Sequence, residues 1–445
     1  MEKTPRENNL LKAILASKLF PGILQYPTAL VFAVIVYELL FGPLSPGRNF
    51  GTAMTWVLWW PIIPLVFLLL GRLWCAICPF ATLSDLVQKW VGNNRPVPVF
   101  LKRYGIWIID AIFILITWGD HIWGVVESPR GSAILLLMII TGVIASGAFL
   151  ERRAWCRYLC FLGGLSGNYS RAGMLELRAT PDKCARCKVQ ACFKGNSKVP
   201  GCPLFEFPKT MDSSATCNLC GNCVKTCPND SIRLSVRVPS KELWFIKKPR
   251  LEESFLAIVI MGIVFVQNIT MLDIGARVMA LVESVTGISS YPLTFTITFV
   301  IAMTVPVLAL FFTGWLSGTV NGESAAVNFT RFGYALIPLD LAGHMAHNLF
   351  HLLAEGNSVL ITGLSLFGIN LQKSTALASN ETIQILQFIL IGLGALLSLY
   401  TAYRVAKTNY TVKKAISSLI PVTGFILVLT FINFYLFTIP MAHRM

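Results

Sequence analysis

Long apolar runs separated by short polar stretches make up most of this chain. Each run is close to the length of about twenty residues that crosses a bilayer as a helix, so each predicts a transmembrane segment. Together they predict a mainly α membrane protein with about nine transmembrane helices. These spans lie at about 23–42, 53–71, 105–126, 131–150, 253–275, 291–316, 330–353, 383–404 and 416–440.

Composition excludes an ordinary soluble protein, because 55% of the 445 residues are hydrophobic and only 13% are charged. The net charge of +15 does not indicate nucleic acid as a partner, since the basic residues cluster beside the apolar runs. Residues 1–22 carry charges throughout, which predicts that no cleavable signal peptide is present. We therefore expect membrane lipid, and no nucleic acid, around the protein.

Basic clusters orient the predicted spans, because loops rich in Lys and Arg remain on the cytoplasmic side. They precede the first and fifth spans, separate the second from the third, and follow the fourth and eighth. With nine spans, the C-terminus would lie outside. The clusters are Lys3, Arg6, Lys12 and Lys18; Lys89, Arg95, Lys102 and Arg103; Arg152, Arg153 and Arg157; Lys247, Lys248 and Arg250; and Arg404, Lys407, Lys413 and Lys414.

Residues 161–250 form a polar insert that holds eight of the twelve cysteines. We expect three domains: an N-terminal membrane domain (1–160) with four helices, this cytoplasmic α+β insert (161–250), and a C-terminal membrane domain (251–445) with five helices. Disulfides are uncommon in a reducing cytosol, where clustered cysteines more often hold metal.

The insert carries two cysteine runs, and the second, Cys-x2-Cys-x2-Cys-x3-Cys-Pro, has the bacterial [4Fe–4S] spacing. In two-cluster ferredoxins the fourth cysteine of such a run serves the other cluster, which predicts a reciprocal exchange of ligands. A structural zinc site is the alternative, although zinc requires neither the extra cysteine nor the Cys-Pro ending. The predicted ligands are Cys184, Cys187, Cys192 and Cys227 for one cluster, and Cys217, Cys220, Cys223 and Cys202 for the other.

Two further cysteine pairs follow the second and fourth spans as an internal repeat. The first lies in Arg-Leu-Trp-Cys-Ala-Ile-Cys-Pro and contains Cys75 and Cys78; the second lies in Arg-Ala-Trp-Cys-Arg-Tyr-Leu-Cys-Phe and contains Cys156 and Cys160. Both pairs are predicted where a helix leaves the membrane on the cytoplasmic side. They bind a metal centre or form a redox-active dithiol set in the functional interpretation, and are reduced, packed cysteines in the structural one.

From about 50 to 235 the chain resembles the membrane polyferredoxins of the NapH-like, NosR-like and CcoG-like type. The likeness rests on helices that end in paired cysteines, followed by a two-cluster ferredoxin. It implies an integral membrane electron-transfer protein of the bacterial or archaeal cytoplasmic membrane. Two positions depart from the family pattern: the first pair is Cys-x2-Cys-Pro rather than Cys-x3-Cys-Pro, and Phe161 stands where proline is usual.

The resemblance does not cover the C-terminal half, where Asp340, His344, His347 and His351 follow one another at steps of four, three and four. On a helix these steps place all four on one face. Polar groups inside a membrane are costly and normally face a bundle interior, a cavity or a bound group. We expect a transition metal, a haem shared with His121, or a quinol whose protons Asp340 accepts; the alternative is that the histidines hydrogen-bond backbone or water.

Asp110 lies within the third predicted span, where a carboxylate is costly unless it is paired or hydrated. It fits a proton or quinone path. A packing hydrogen bond between helices is the other interpretation.

The features together predict a protein that passes electrons through two [4Fe–4S] clusters between a cytoplasmic donor or the quinone pool and a membrane or periplasmic acceptor. A redox partner protein is expected, and a subunit of a quinol or ferredoxin oxidoreductase is one form of this function. The alternative is a copper reductase or maturation factor for a partner metalloenzyme, since thiolates and imidazoles suit Cu(I). No nucleotide-binding motif stands out, so NAD or flavin would arrive on a partner.

Overall fold

The computed structural model describes residues 9–371 and 375–439, without the side chain of Asp273. Lys3 and Arg6, which contribute to the predicted orientation, lie outside the described residues. The described chain is mainly helical, as expected, and its strands all lie within the cysteine-rich insert.

The first part of the chain consists of helices that precede the insert. A π-helix (Ala53–Trp59) joins α3 to α4, and a 3₁₀ turn (Gly71–Leu73) joins α4 to α5. The helices are α1 (Asn9–Ala16), α2 (Gly22–Phe41), α3 (Phe50–Thr52), α4 (Trp60–Leu70), α5 (Trp74–Ile77), α6 (Pro79–Val91), α7 (Val99–Trp123), α8 (Pro129–Phe149), α9 (Ala154–Tyr158) and α10 (Phe161–Ala172).

The insert is built on a two-stranded antiparallel sheet whose register places Leu177 opposite Leu234. Both leucines are buried, because one face of each strand packs on the cysteine loops. Short helices lie between the strands. In chain order the elements are β1 (Leu175–Ala179), α11 (Pro181–Ala185), α12 (Ala191–Lys194), α13 (Asn222–Thr226) and β2 (Ile232–Val236).

The described residues of the C-terminal part form helices joined by loops. Its helices are α14 (Leu251–Thr270), α15 (Asp273–Thr286), α16 (Tyr291–Asn321), α17 (Ala325–Gly333), α18 (Ile337–Ala354), α19 (Asn357–Ser365), α20 (Asn380–Asn409) and α21 (Val412–Thr438).

Seven segments among the described residues are long and apolar enough to cross a membrane, so the protein is a multi-pass membrane protein. Each coincides with one of the nine predicted spans. The two remaining predictions, at about 105–126 and 330–353, fall on α7 and on α17–α18, which carry more charged residues and histidines. The count of nine therefore stays a prediction. The seven segments are Gly22–Phe41, Phe50–Val91, Pro129–Phe149, Leu251–Thr270, Tyr291–Asn321, Asn380–Asn409 and Val412–Thr438.

Contacts divide the chain into two compact units. Unit 1 comprises residues 1–34, 65–109 and 136–242, and unit 2 comprises residues 35–64, 110–135 and 243–445. Unit 1 contains all twelve cysteines. In unit 2 the most buried span is α14, and the core joins its side chains to those of α16, α17, α18, α20 and α21. The predicted division into three domains remains a prediction.

Candidate iron–sulfur centres and a buried polar stripe

Four cysteines from both ends of the insert lie together beside the sheet. Cys184 follows β1 and Cys227 precedes β2, and Ser231 lies between them: its Oγ is 3.0 Å from Cys184 Sγ and its backbone N–H donates to Cys227 Sγ at 3.2 Å. Burial raises the pKa of the Cys192 thiol to about 11, and Cys227, Cys184 and Cys187 add to the rise. Strand pairing thus brings the predicted fourth ligand to the first cysteine run.

Burial affects the pKa values of the second cysteine set more strongly than those of the first. Burial raises the pKa of the Cys217 thiol to about 12, with a contribution from Cys202 and Cys220. Burial also holds the pKa of Cys223 well above its usual value, and Cys217, Cys220, Cys202 and Cys192 all act on it. The influence of Cys192 shows that the two sets are neighbours within unit 1.

Helix α1 covers the second set, a role that sequence reasoning missed. Leu15 and Phe20 belong to one apolar cluster with Cys217, Cys220, Cys223 and Cys227. Gly221 has φ +78°, and a Cβ there would clash with the Leu15 carbonyl oxygen, so only glycine fits this close approach. The amphipathic pattern of α1 beside a basic N-terminus was the available signal.

The two repeated pairs, Cys75/Cys78 and Cys156/Cys160, also come together in unit 1. Burial raises the pKa of the Cys156 thiol to about 12, and Cys160 and Cys75 contribute to it. Burial likewise raises the pKa of Cys160 to about 12, with a contribution from Cys78 and Cys75. The structure therefore places these four thiols, hereafter the four-cysteine site, within electrostatic range of one another.

The repeat has the same local geometry in both halves of the four-cysteine site. Cys78 immediately precedes α6 and Cys160 immediately precedes α10. Backbone N–H groups of the first turns act on both sulfurs, that of Ala81 on Cys78 and that of Gly163 on Cys160. Amides and the positive end of the helix dipole at this position stabilise thiolates, so each half is suited to an anionic ligand set.

Arg153 is a buried cation next to the four-cysteine site, and it is only 3% exposed. Its guanidinium pairs with Asp85 through Nε–Oδ1 (3.0 Å) and Nη2–Oδ2 (2.6 Å), and Nη1 donates to the Cys75 carbonyl oxygen at 3.1 Å. Cys156 and Cys220 both act on it electrostatically. Arg153 thus lies between the four-cysteine site and the second cysteine set, in a left-handed backbone conformation (φ +51°).

The donor chemistry of all three cysteine sets fits iron–sulfur clusters, because buried thiolates without oxygen ligands select soft metals and Fe–S clusters. Among residues 9–371 and 375–439, no three His, Cys, Asp or Glu side chains are grouped as for a single metal ion. Ligands of a cubane stand at the corners of a larger body and need not converge on one point. The chemistry of the donor sets therefore fits iron–sulfur clusters.

The C-terminal stripe lies in unit 2 and is buried: Asp340, His347 and His351 are 0% exposed and His344 is 3% exposed. His347 Nδ1 lies 2.8 Å from Asn268 Oδ1 on α14. His351 Nδ1 lies 3.0 Å from Glu355 Oε2. These contacts fix the orientation of both rings, as partners of functional histidines do.

Further aromatic and amide groups surround the stripe. The Trp60 ring centroid lies 5.6 Å from that of His344, and the His347 and His351 centroids are 5.3 Å apart. Gln387 donates to the Ala346 carbonyl oxygen at 2.9 Å. Sequence reasoning missed Asn268 and Glu355, whose only signal was that each is a polar residue at the end of an apolar run.

The other two predicted site residues, Asp110 and His121, have surroundings different from those of the stripe. Asp110 on α7 is 1% exposed, and neither carboxylate oxygen has a hydrogen-bond partner among the described residues. His121 Nδ1 lies 2.8 Å from the Thr117 carbonyl oxygen and Nε2 lies 3.1 Å from Thr270 Oγ1. Axial binding of haem by His121 would require one of these hydrogen bonds to break.

Comparisons with known proteins agree with the cysteine chemistry. A family model described as a 4Fe-4S binding domain matches residues 52–98 and 133–176, the segments that contain the four-cysteine site. The chain is 26% identical over 227 residues to the putative electron transport protein YccM of Escherichia coli K12, covering 45% of this chain and 60% of that protein. It is 25% identical over 195 residues to the ferredoxin-type protein NapH of the same organism, covering 40% of this chain and 66% of NapH.

No solved structure matches the chain. The chain spans less than two thirds of the length of each of these relatives. The predicted resemblance is confirmed: the protein carries a 4Fe-4S binding domain and is a distant homologue of NapH and YccM.

Proposed function

We propose that the protein transfers single electrons across unit 1, between a redox partner and an acceptor in or beyond the membrane. The observation that carries this proposal is the succession of three neighbouring thiol sets. Cys192 of the first set acts on Cys223 of the second, and Arg153 is within range of both Cys220 of the second set and Cys156 of the four-cysteine site.

The first two sets hold one [4Fe–4S] cluster each in this proposal, with exchanged fourth ligands. The contacts of Ser231 with Cys184 and Cys227 support the exchange. The four-cysteine site holds a third iron–sulfur centre, which is supported by the matched 4Fe-4S binding domain over both of its pairs. When bound, these clusters supply one-electron transfer at potentials that their surroundings tune.

The residues of unit 1 hold, shield and electrically balance these centres. Backbone N–H groups at α6 and α10 stabilise the sulfurs of Cys78 and Cys160, and Arg153 places a cation beside Cys156. Leu15 on α1 and Phe20, which follows α1, pack against the second set in one apolar cluster. Each of these features favours electron transfer without side reactions.

In unit 2 we assign the stripe on α18 to a membrane quinone, with Asp340 and the histidines as hydrogen-bonding and proton-carrying groups. The hydrogen bonds of His347 to Asn268 and of His351 to Glu355 support this assignment, because they fix two ionisable rings inside an apolar helix bundle. Asp110 is proposed for the same proton path. The setting is the cytoplasmic membrane of a bacterium or archaeon, with the insert on the cytoplasmic side.

Metal analysis of the anaerobically purified protein, combined with electron paramagnetic resonance, tests the proposal. Two clusters in the insert give about eight irons, and a cubane at the four-cysteine site raises the total to about twelve. The variant C75S/C156S removes about four irons and one signal while the insert's signals remain. Zinc in place of iron would overturn the proposal, and stoichiometric copper without quinone reactivity would favour the maturation factor.

A further inference from the structure

The loop that carries the first cysteine set has a strongly basic surface. Between residues 181 and 200 the chain has five basic side chains and a single acidic one, Asp182. All five are exposed, and Lys209 is a sixth exposed cation whose charge acts on Cys187. We call these six residues the basic rim: Lys183, Arg186, Lys188, Lys194, Lys198 and Lys209.

An apolar side chain and a sulfur lie within this rim. Val189 is 63% exposed, and Cys187 is partly exposed, whereas Cys184 of the same set is buried. The backbone N–H groups of Val189 and Gln190 donate to Cys187 Sγ. The loop therefore brings one ligand of the first set to the surface, two residues from an exposed apolar side chain.

Exposed cations around an exposed apolar side chain and a partly exposed cysteine fit an electron-transfer interface better than a surface whose charges serve only solubility. Electron-transfer encounters use small interfaces, and a charged rim steers the partner while an apolar centre makes the contact. A rim of one sign selects a partner of the opposite sign. An anionic membrane surface would also attract the lysines, but it makes no use of a surface-exposed cluster ligand.

We infer that the basic rim docks an acidic one-electron carrier protein against Val189 and Cys187. This inference rests on the proposed function, since the carrier exchanges electrons with the first cysteine set. One electron passes between the carrier and the centre held by that set, so that one is oxidised as the other is reduced. No covalent bond forms or breaks.

The test measures binding rather than turnover. The full-length protein is placed in nanodiscs of zwitterionic lipid, and the probe is a small acidic plant-type [2Fe–2S] ferredoxin with a fluorescent label. In the variant R186E/K188E the association rate constant at low ionic strength falls about tenfold or more, and its salt dependence becomes weaker. The control K247E/K248E makes the same change in net charge outside unit 1 and changes the rate constant less than about twofold.

Arg186 and Lys188 flank Cys187, so iron content is measured for every variant. The variant K194E/K198E changes two rim charges outside the Cys184–Cys192 segment and is expected to slow association in the same way. Equal effects of the rim and control variants would overturn the inference. Rim-dependent binding to phosphatidylglycerol vesicles, without binding of the ferredoxin, would assign the rim to the membrane surface instead and would also overturn it.

Failure of this inference is separable from failure of the proposed function. If the clusters are present and reducible in all variants but ferredoxin binding is unchanged, only the docking surface is wrong. If iron is absent from the unmodified protein, the proposed function itself is wrong.

Discussion

The two units bury their reactive groups in different ways. Unit 1 collects thiols from loops and helix starts that are far apart in the chain, whereas unit 2 aligns Asp340, His344, His347 and His351 on the single helix α18. A thiol set assembled by folding needs correct packing of many elements. The residues of the stripe are aligned as soon as α18 is helical. Its chemistry, however, depends on the side chains that the neighbouring helices place against it.

The largest expected effect is on the exchanged ligands of unit 1. The variant C227S is expected to lose the proposed cluster of Cys184, Cys187 and Cys192, because Cys227 is their proposed fourth ligand and precedes the strand that pairs with β1. Electron paramagnetic resonance and iron content report the loss, and C202S is the mirror-image control that affects the other cluster. Damage confined to the set of Cys217, Cys220 and Cys223 in C227S would show that no exchange occurs.

The next largest effect concerns unit 2. The variant H347A leaves all iron–sulfur centres assembled and reducible but slows reoxidation by a quinone analogue, on the order of 100-fold if His347 moves a proton. Stopped-flow spectroscopy of the reduced protein measures the rate. H344A and H351A serve as comparisons, and unchanged reoxidation in all three would leave the stripe as packing.

A smaller effect is expected where Arg153 meets the thiol sets, and its sign depends on the charge removed. The cation stabilises the additional electron of a reduced centre, so R153Q lowers the midpoint potential of the four-cysteine site and D85N raises it. A shift on the order of 60 mV corresponds to a tenfold change in the one-electron equilibrium.

Redox titration followed by electron paramagnetic resonance gives these potentials, and iron content shows whether the centre is intact. The double variant R153Q/D85N is expected to lie between the two single variants. Shifts of the same sign in R153Q and D85N would indicate that the pair acts through structure rather than charge.

The smallest effect is expected for S231A. It removes the Oγ that lies 3.0 Å from Cys184 Sγ but keeps the backbone N–H that donates to Cys227. Loss of one hydrogen bond costs about 0.5–1.5 kcal/mol, so the first cluster assembles and its potential falls by a few tens of millivolts. A lost cluster in S231A would mean that Ser231 is required for assembly.

Local patterns in the sequence predicted the cysteine sets of unit 1. The spacing of Cys217, Cys220 and Cys223 within one short loop indicates a cluster, because residues this close in the chain are neighbours in any compact fold. The repeated pairs at Cys75 and Cys156 likewise predicted a common site. The charged residues and histidines of α7 and α18 lower the hydropathy of these helices. Hydropathy is the main sequence signal for a transmembrane span, so the number of spans is hard to predict.

Periodicity alone determined that the four polar residues of α18 share a face, since a helix repeats every 3.6 residues. Only the tertiary structure decided their partners, because Asn268 lies 79 positions from His347. The same holds for Arg153, whose carboxylate partner Asp85 is 68 positions away. Chain spacing fixes neighbours within a turn or a loop, but contacts between distant segments depend on how all the intervening elements pack.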